Sequence, residues 1–109
     1  MNRVLVIDAL TELGRRDVQE ELWLSDGSGG ALVSSFVEAW ERLADDSGLR
    51  WEIEAGSDEL GEGFLTWYKR LEGLLRDLER AELDPRALID DDRMVEVRRV
   101  CNRLLDIIA

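Results

Sequence analysis

The sequence predicts an all-α fold, a bundle of about four to five helices forming one domain over residues 1–109. Three observations support this prediction. Apolar residues recur at helical spacing in several segments, helix-capping and helix-breaking residues separate those segments, and 109 residues with 45% hydrophobic content suit one small domain. Helices with one apolar stripe must bury those stripes against each other, so a bundle is the economical arrangement.

Two short helical patterns come first. Residues 3–13 repeat apolar side chains at four- and three-residue intervals, and residues 17–24 resume the pattern after a break at 14–16. The glycine- and serine-rich segment 25–30 then predicts a loop, because these residues favour turns and have poor helix propensity. A Gly-Lys-Ser/Thr phosphate motif is absent there, so we interpret this segment as a plain connection.

Residues 31–44 form the next amphipathic pattern. Their apolar positions repeat at intervals of three and four, and acidic side chains occupy the other side. The apolar set is Val33, Phe36, Trp40 and Leu43.

Residues 49–55 are ambiguous, because apolar and charged side chains alternate there as they do in a half-buried strand. A lone strand needs a partner, and residues 4–7 are the other β-branched run. An α+β fold with a two-stranded sheet from 4–7 and 49–55 is therefore the alternative to the all-α fold.

The C-terminal half carries the clearest helical periodicity. We expect one helix to carry the stripe over 64–78, capped by Ser57 or Asp58, and another to carry the stripe over 94–108, capped by the acidic run 90–92. Asp84 followed by Pro85 predicts a short helical turn between them. The two stripes are Phe64, Trp67, Leu71, Leu74 and Leu78, and Met94, Val97, Cys101, Leu104 and Ile108.

Composition excludes many kinds of site. The chain has no His and one Cys, which rules out His-dependent catalysis, thiolate zinc clusters and intrachain disulfides. We expect no cofactor, no metal site and no enzymatic activity. The single cysteine favours a reducing compartment, and the absence of a signal-peptide pattern or a membrane-length apolar run favours the cytoplasm.

The charge is strongly negative and regional. The formal net charge is -11, and residues 17–62 hold thirteen acidic side chains against Arg42 and Arg50. Nucleic acids and anionic membranes are poor partners for such a surface, because both are bound through Lys and Arg. The sequence therefore predicts a basic protein partner, with no nucleic acid and no membrane bound.

The predicted partner-binding residues combine carboxylates with aromatic anchors. A one-signed surface speeds encounter, and a tryptophan supplies affinity. By size and composition, this profile is analogous to immunity proteins, antitoxins, adaptors and proteins that imitate the charge of DNA. The predicted contact residues are Trp23, Glu38, Glu41, Asp45, Asp46 and Trp51.

A homodimeric structural or accessory subunit is the alternative function. The apolar stripes over 64–78 and 94–108 are wider than one intramolecular contact requires, so either could form a seam between subunits. In that case the acidity serves only solubility.

Overall fold

The computed structural model describes residues 1–25, 34–56 and 59–108. These ranges contain seven α-helices and one π-helical turn. No strand occurs in these ranges, and the predicted all-α fold is confirmed. The predicted caps Ser57 and Asp58, and all but the first residue of the predicted loop 25–30, lie outside them. The helices are α1 (Arg3–Gly14), α2 (Arg16–Trp23), α3 (Phe36–Glu41), the π-helical turn (Arg42–Asp46), α4 (Leu49–Glu54), α5 (Gly61–Arg80), α6 (Pro85–Asp90) and α7 (Asp92–Ile108).

Helices α5 and α7 form an antiparallel pair. Arg70 on α5 contacts Glu96 near the start of α7, whereas Trp67, earlier on α5, lies beneath Arg103 near its end. Asp84 caps α6 by accepting a hydrogen bond from the Ala87 N–H at 2.9 Å, as its position before Pro85 predicts. The buried residues of the two long helices are Phe64, Tyr68, Leu71, Leu75 and Leu78 on α5 and Met94, Val97, Val100, Cys101, Leu104 and Ile108 on α7. Trp67 and Leu74 of the predicted α5 stripe are only partly buried.

Helix α1 also packs along α7. A Cβ atom added to Gly14 would lie 3.2 Å from the Cys101 Cβ, so the two helices approach closely at the end of α1. The Asn102 side-chain amide reinforces this contact by donating to the Gly14 carbonyl oxygen at 3.0 Å. The wide stripe of α7 is therefore accounted for inside one chain, because it serves two helices.

The break between α1 and α2 is held by a buried glutamine. Gln19 is fully buried, and its amide nitrogen donates to the carbonyl oxygens of Glu12 and Leu13 at 3.1 and 2.8 Å. These are carbonyls that a helix end leaves without an intrahelical partner. The Gln19 side-chain oxygen accepts a hydrogen bond from Arg98 at 2.8 Å, which ties this corner to α7.

Residues 49–54 are helical, so the two-stranded sheet considered from the sequence is wrong. The proposed partner segment 4–7 lies inside α1. Gly48 adopts φ +79°, which lets the chain turn sharply, and the Ser47 hydroxyl then accepts a hydrogen bond from the Leu49 N–H at 3.1 Å. The alternation also does not correspond to one buried face, since Leu49 is buried whereas Trp51 is 70% exposed.

The helix predicted over 31–44 starts and ends later than its pattern indicates. Its first helical residue is Phe36. The preceding Ser35 is the N-cap, and its hydroxyl accepts a hydrogen bond from the Glu38 N–H at 3.1 Å. Residues 31–33 lie outside the described ranges. The helix then continues into the π-helical turn, where the Ser47 N–H donates to the Arg42 carbonyl oxygen at 3.0 Å. Such turns insert one extra residue into a helix and are frequent at functional sites.

Candidate functional site

Four of the predicted contact residues lie on one continuous helix formed by α3 and the π-helical turn. Glu38, Glu41, Asp45 and Asp46 are all exposed, and we call them the acidic face. Asp45 accepts a hydrogen bond from Arg50 at 2.6 Å. The other three carboxylates form no ion pair with any residue in the described ranges.

Arg42 lies four residues after Glu38, the spacing at which opposite charges pair on a helix surface. Its guanidinium instead lies 3.0 Å from the carboxylate of Glu12, which is 5% exposed and belongs to α1. The buried carboxylate therefore holds this cation away from the acidic face. Arg42 and Arg50 are the two basic residues of segment 17–62, and both already have acidic partners.

Trp23 completes the cluster around Glu12. Its indole N–H donates to the second Glu12 carboxylate oxygen at 2.8 Å, and its ring lies edge-on to Phe36 with centroids 6.0 Å apart. The residue is 6% exposed, so it is part of the core and does not protrude as the anchor that the sequence predicts. Its ring also lines an apolar cavity of about 260 Å³ together with Phe36 and Leu88.

Trp51 has the opposite environment. It is 70% exposed on α4 and is the most exposed large apolar side chain in the described ranges. It lies five positions after Asp46 in the chain, which limits their Cα–Cα distance to less than about 18 Å. Trp51 is therefore the exposed aromatic residue within this distance of the acidic face.

A depression of about 310 Å³ separates the acidic face from α5, and we call it the indole depression. Trp40 lines it and is 9% exposed, in agreement with its place on the predicted apolar stripe. Its indole N–H has no hydrogen-bond partner among the residues that the structure describes. The polar groups that line the depression are those of Glu41, Asp45, Arg50, Arg76 and Glu79.

A second depression, of about 420 Å³, adjoins the first because Arg50 and Arg76 line both. It contains Tyr68, which is 3% exposed and whose hydroxyl makes no hydrogen bond to a described residue. Burial raises the pKa of Tyr68 well above its ordinary value, and the nearby Glu72 carboxylate raises it further. Glu72 is itself paired with Arg76 at 2.7 Å.

These two unpaired donors were not predicted from the sequence. The apolar stripe places Trp40 in the core, but periodicity carries no information about which acceptor an indole N–H meets. Tyr68 lies between Trp67 and Leu71 and is not one of the residues of the predicted stripe of α5. The sequence did offer one signal. Trp40 and Tyr68 are aromatic residues with a polar N–H or O–H group, and such side chains need an acceptor when they are buried.

Other reactive groups lie away from this region. Cys101 is fully buried, and burial raises the pKa of its thiol far above the ordinary range. It therefore behaves as a small apolar residue and not as a nucleophile. Within the three described ranges, no three Cys, Asp or Glu side chains are arranged to hold a metal ion.

Comparisons with family models, with curated proteins and with solved structures each found no match to this chain. None of the helices in the described ranges is both long enough and apolar enough to cross a bilayer. Functional inference therefore depends on the acidic face, Trp51, the two depressions and the apolar cavity that Trp23 lines.

Proposed function

We propose that the protein binds a basic protein partner through the acidic face, with Trp51 as the aromatic contact beside it. The observation that carries this proposal is the position of Arg42. Its spacing from Glu38 suits a surface ion pair, yet its guanidinium is bound to the buried Glu12 carboxylate. The fold thereby leaves the exposed side of α3 negative.

Electrostatics supports the same partner chemistry. A surface with one sign of charge speeds the approach of an oppositely charged protein and disfavours acidic competitors. The chain carries a net charge of -11, so the local field of the acidic face adds to a negative field over the whole molecule. Nucleic acid and anionic membranes do not suit this surface.

Trp51 supports a protein as the class of partner. Tryptophan is enriched among the few residues that dominate binding energy in protein interfaces, where its large ring becomes buried. A ring that is 70% exposed on a short helix offers such an area without any rearrangement of the core. Small acidic binders such as immunity proteins, antitoxins, adaptors and DNA-charge mimics combine the same size and charge.

The test compares the parent and two variants in a capture experiment. The acidic-face variant removes four charges by Glu38→Gln, Glu41→Gln, Asp45→Asn and Asp46→Asn. The control variant removes four charges from exposed positions that have no ion pair to a described residue, by Asp8→Asn, Glu21→Gln, Glu62→Gln and Asp106→Asn. Both variants therefore have the same net charge and the same numbers of Asp and Glu replaced.

Each tagged chain is incubated with lysate of the cells that encode it, and bound proteins are quantified by mass spectrometry at low and high salt. We expect a basic protein that the parent and the control variant retain at low salt and that the acidic-face variant loses. Its association rate with the purified acidic-face variant should be about 10- to 100-fold slower than with the parent. Equal retention by the two variants would contradict the proposal.

A further inference from the structure

The apolar cavity beside Trp23 lies between α2, α3, α5 and α6, and we call it the Trp23 cavity. Its rim is exposed at Val37 and Pro85 and partly exposed at Leu83, so it opens to the surface. Its floor consists of side chains that are each less than a tenth exposed, namely Trp23, Phe36, Leu78 and Leu88.

The size of the Trp23 cavity suits one side chain of a partner. An engineered apolar cavity of about 150 Å³ in another protein admits benzene, so a volume of about 260 Å³ has room for an aromatic ring. Pockets for independent small ligands are usually larger, at about 300 to 1,000 Å³. A ring in this cavity would remove both its own apolar surface and that of the wall from water.

Contacts within the chain fix the wall of the cavity. The Trp23 N–H donates to Glu12 at 2.8 Å, and the Trp23 ring meets the ring of Phe36 edge-on with centroids 6.0 Å apart. The two rings are therefore held in place before anything binds. A wall that is already ordered favours affinity, because binding then costs less conformational entropy.

The charge at the rim is negative. Glu79 and Glu82 are the charged residues among those that line the cavity in the described ranges, and both are exposed. Arg80 shares a neighbouring depression with these two carboxylates but forms an ion pair with neither. The acidic face begins at Glu38, which directly follows Val37 of the rim. A partner side chain in the cavity is thus surrounded by carboxylates.

Glu82 also has a backbone conformation that glycine adopts more readily. Its φ is +51°, and within the described ranges it is the one residue other than glycine with a positive φ. It follows Ala81, the C-cap of α5, at a position where glycine is usual because a Cβ atom brings strain there. Strained backbone of this kind is concentrated at functional sites. The Glu82 backbone is therefore a second observation, independent of the apolar lining, that points to a ligand at this rim.

We propose that the Trp23 cavity receives one aromatic side chain of the basic partner, with basic residues on both sides of it in the partner's sequence. The aromatic ring packs against Trp23 and Phe36, and the flanking cations lie near Glu79 and Glu82. This inference rests on the proposed function, because it names the part of the basic partner that binds next to the acidic face.

The test adds short peptides, acetylated and amidated at their ends, to the isolated protein with isotope-labelled methyl groups. The first probe is the tripeptide Arg-Phe-Arg. At constant ionic strength we expect saturable shifts of the Leu83 and Leu88 methyl signals, with nuclear Overhauser effects from the ring of the probe to both. The absence of these effects at millimolar probe concentrations would overturn the proposal.

Two further probes separate the ring from the charge. Arg-Ala-Arg keeps both cations without the ring, and we expect it to leave the two methyl signals in place. Glu-Phe-Glu keeps the ring and reverses the charge, and we expect it to bind at least about tenfold more weakly than Arg-Phe-Arg. Equal binding of Arg-Ala-Arg would overturn the aromatic occupant, and equal binding of Glu-Phe-Glu would overturn its basic neighbours.

Matched variants distinguish the rim carboxylates from net charge. Glu79→Gln combined with Glu82→Gln should weaken binding of Arg-Phe-Arg about tenfold. Glu54→Gln combined with Glu62→Gln removes the same charge from exposed residues that do not line the cavity, and it should leave binding unchanged. Equal effects of the two pairs would contradict the proposed contact.

Glu82→Gly tests the strained position itself. Since glycine relieves the strain and removes the carboxylate, we expect Tm to rise by a few degrees while Arg-Phe-Arg binds several-fold more weakly. Unchanged binding would contradict the role of Glu82 at the rim, and a lower Tm would contradict the strain. All these measurements use the isolated protein, so the cavity can fail as a subsite while the acidic face still retains a partner in the capture experiment.

Discussion

Two buried tryptophans contact the same phenylalanine and differ in their hydrogen bonding. The rings of Trp23 and Trp40 lie 6.0 and 6.1 Å from the ring of Phe36, and both residues are less than a tenth exposed. The Trp23 N–H donates to Glu12 at 2.8 Å, whereas the Trp40 N–H has no acceptor among the described residues. The Trp23 donor is satisfied within the chain, and the Trp40 donor has no partner among the described residues.

The Glu12 cluster connects distant parts of the chain. Glu12 joins three elements, because Arg42 of the π-helical turn and Trp23 of α2 both bind this one carboxylate of α1. The same pairing withdraws Arg42 from Glu38 and so maintains the negative acidic face. The Glu12 cluster therefore contributes both to the fold and to the proposed binding surface.

The largest expected effect follows from breaking the complete cluster. Glu12→Ala should lower the free energy of unfolding by about 3 kcal/mol, because it leaves the Arg42 charge half-buried and the Trp23 N–H without an acceptor. Urea denaturation measures this loss. Glu12→Gln should cost less, since its amide oxygen can still accept the hydrogen bond from Trp23.

The same variant connects stability to the surface. Once Glu12 is gone, Arg42 is free to pair with Glu38, and this pairing would reduce the negative field of the acidic face. Slower association of a folded Glu12→Gln chain with the captured partner would therefore support the link. A stability loss of less than about 1 kcal/mol in Glu12→Ala would mean that the cluster adds little to the fold.

The second prediction compares the two indoles directly. Trp23→Phe and Trp40→Phe remove similar areas from the core, but only the first breaks a hydrogen bond within the chain. We therefore expect Trp23→Phe to cost about 1 to 2 kcal/mol more than Trp40→Phe in urea denaturation of the isolated protein. Equal losses would mean that the Trp40 N–H is already satisfied.

The helices could be predicted from the sequence because helical periodicity and helix caps depend on residues that are close together in the chain. The stripes of α5 and α7, and the cap formed by Asp84 before Pro85, are set by three- and four-residue spacing and by backbone chemistry. Residues 49–55 could not be assigned in this way. Their alternation suits a strand only if a partner strand exists, and the Gly48 turn with the Ser47 cap starts a helix instead.

The exposure of the acidic-face carboxylates could be predicted from the sequence. The pairing of Arg42 with Glu12, which leaves these carboxylates without that cation, could not. Arg42 and Glu12 are thirty residues apart, and no periodicity relates them. A clue was present at Glu12, which lies three residues after Ala9 and therefore on a buried side of α1. A carboxylate at such a position needs a partner, but sequence alone does not say which cation supplies it.

The smallest expected effect concerns the second unpaired donor. Tyr68→Phe removes a buried hydroxyl with no partner among the described residues, so stability near neutral pH should change by less than about 1 kcal/mol. A larger loss would mean that the hydroxyl is hydrogen-bonded, for which the nearby Glu72 carboxylate supplies an acceptor. Urea denaturation of both chains at pH 7 measures the difference.

Alkaline pH should increase that difference, because burial raises the pKa of Tyr68 above its ordinary value of 10.0. Both states are neutral below pH 10, so no stability is lost there. Above pH 10 the unfolded chain releases the phenolic proton, whereas the folded chain keeps it. The free energy of unfolding of the parent therefore falls by up to about 1.4 kcal/mol per pH unit relative to that of Tyr68→Phe. Cys101 acts in the same direction in both chains and cancels.

Since Tyr68 is the one tyrosine, tyrosinate absorbance reports its ionisation directly. The appearance of this absorbance before unfolding would show that the hydroxyl is open to solvent.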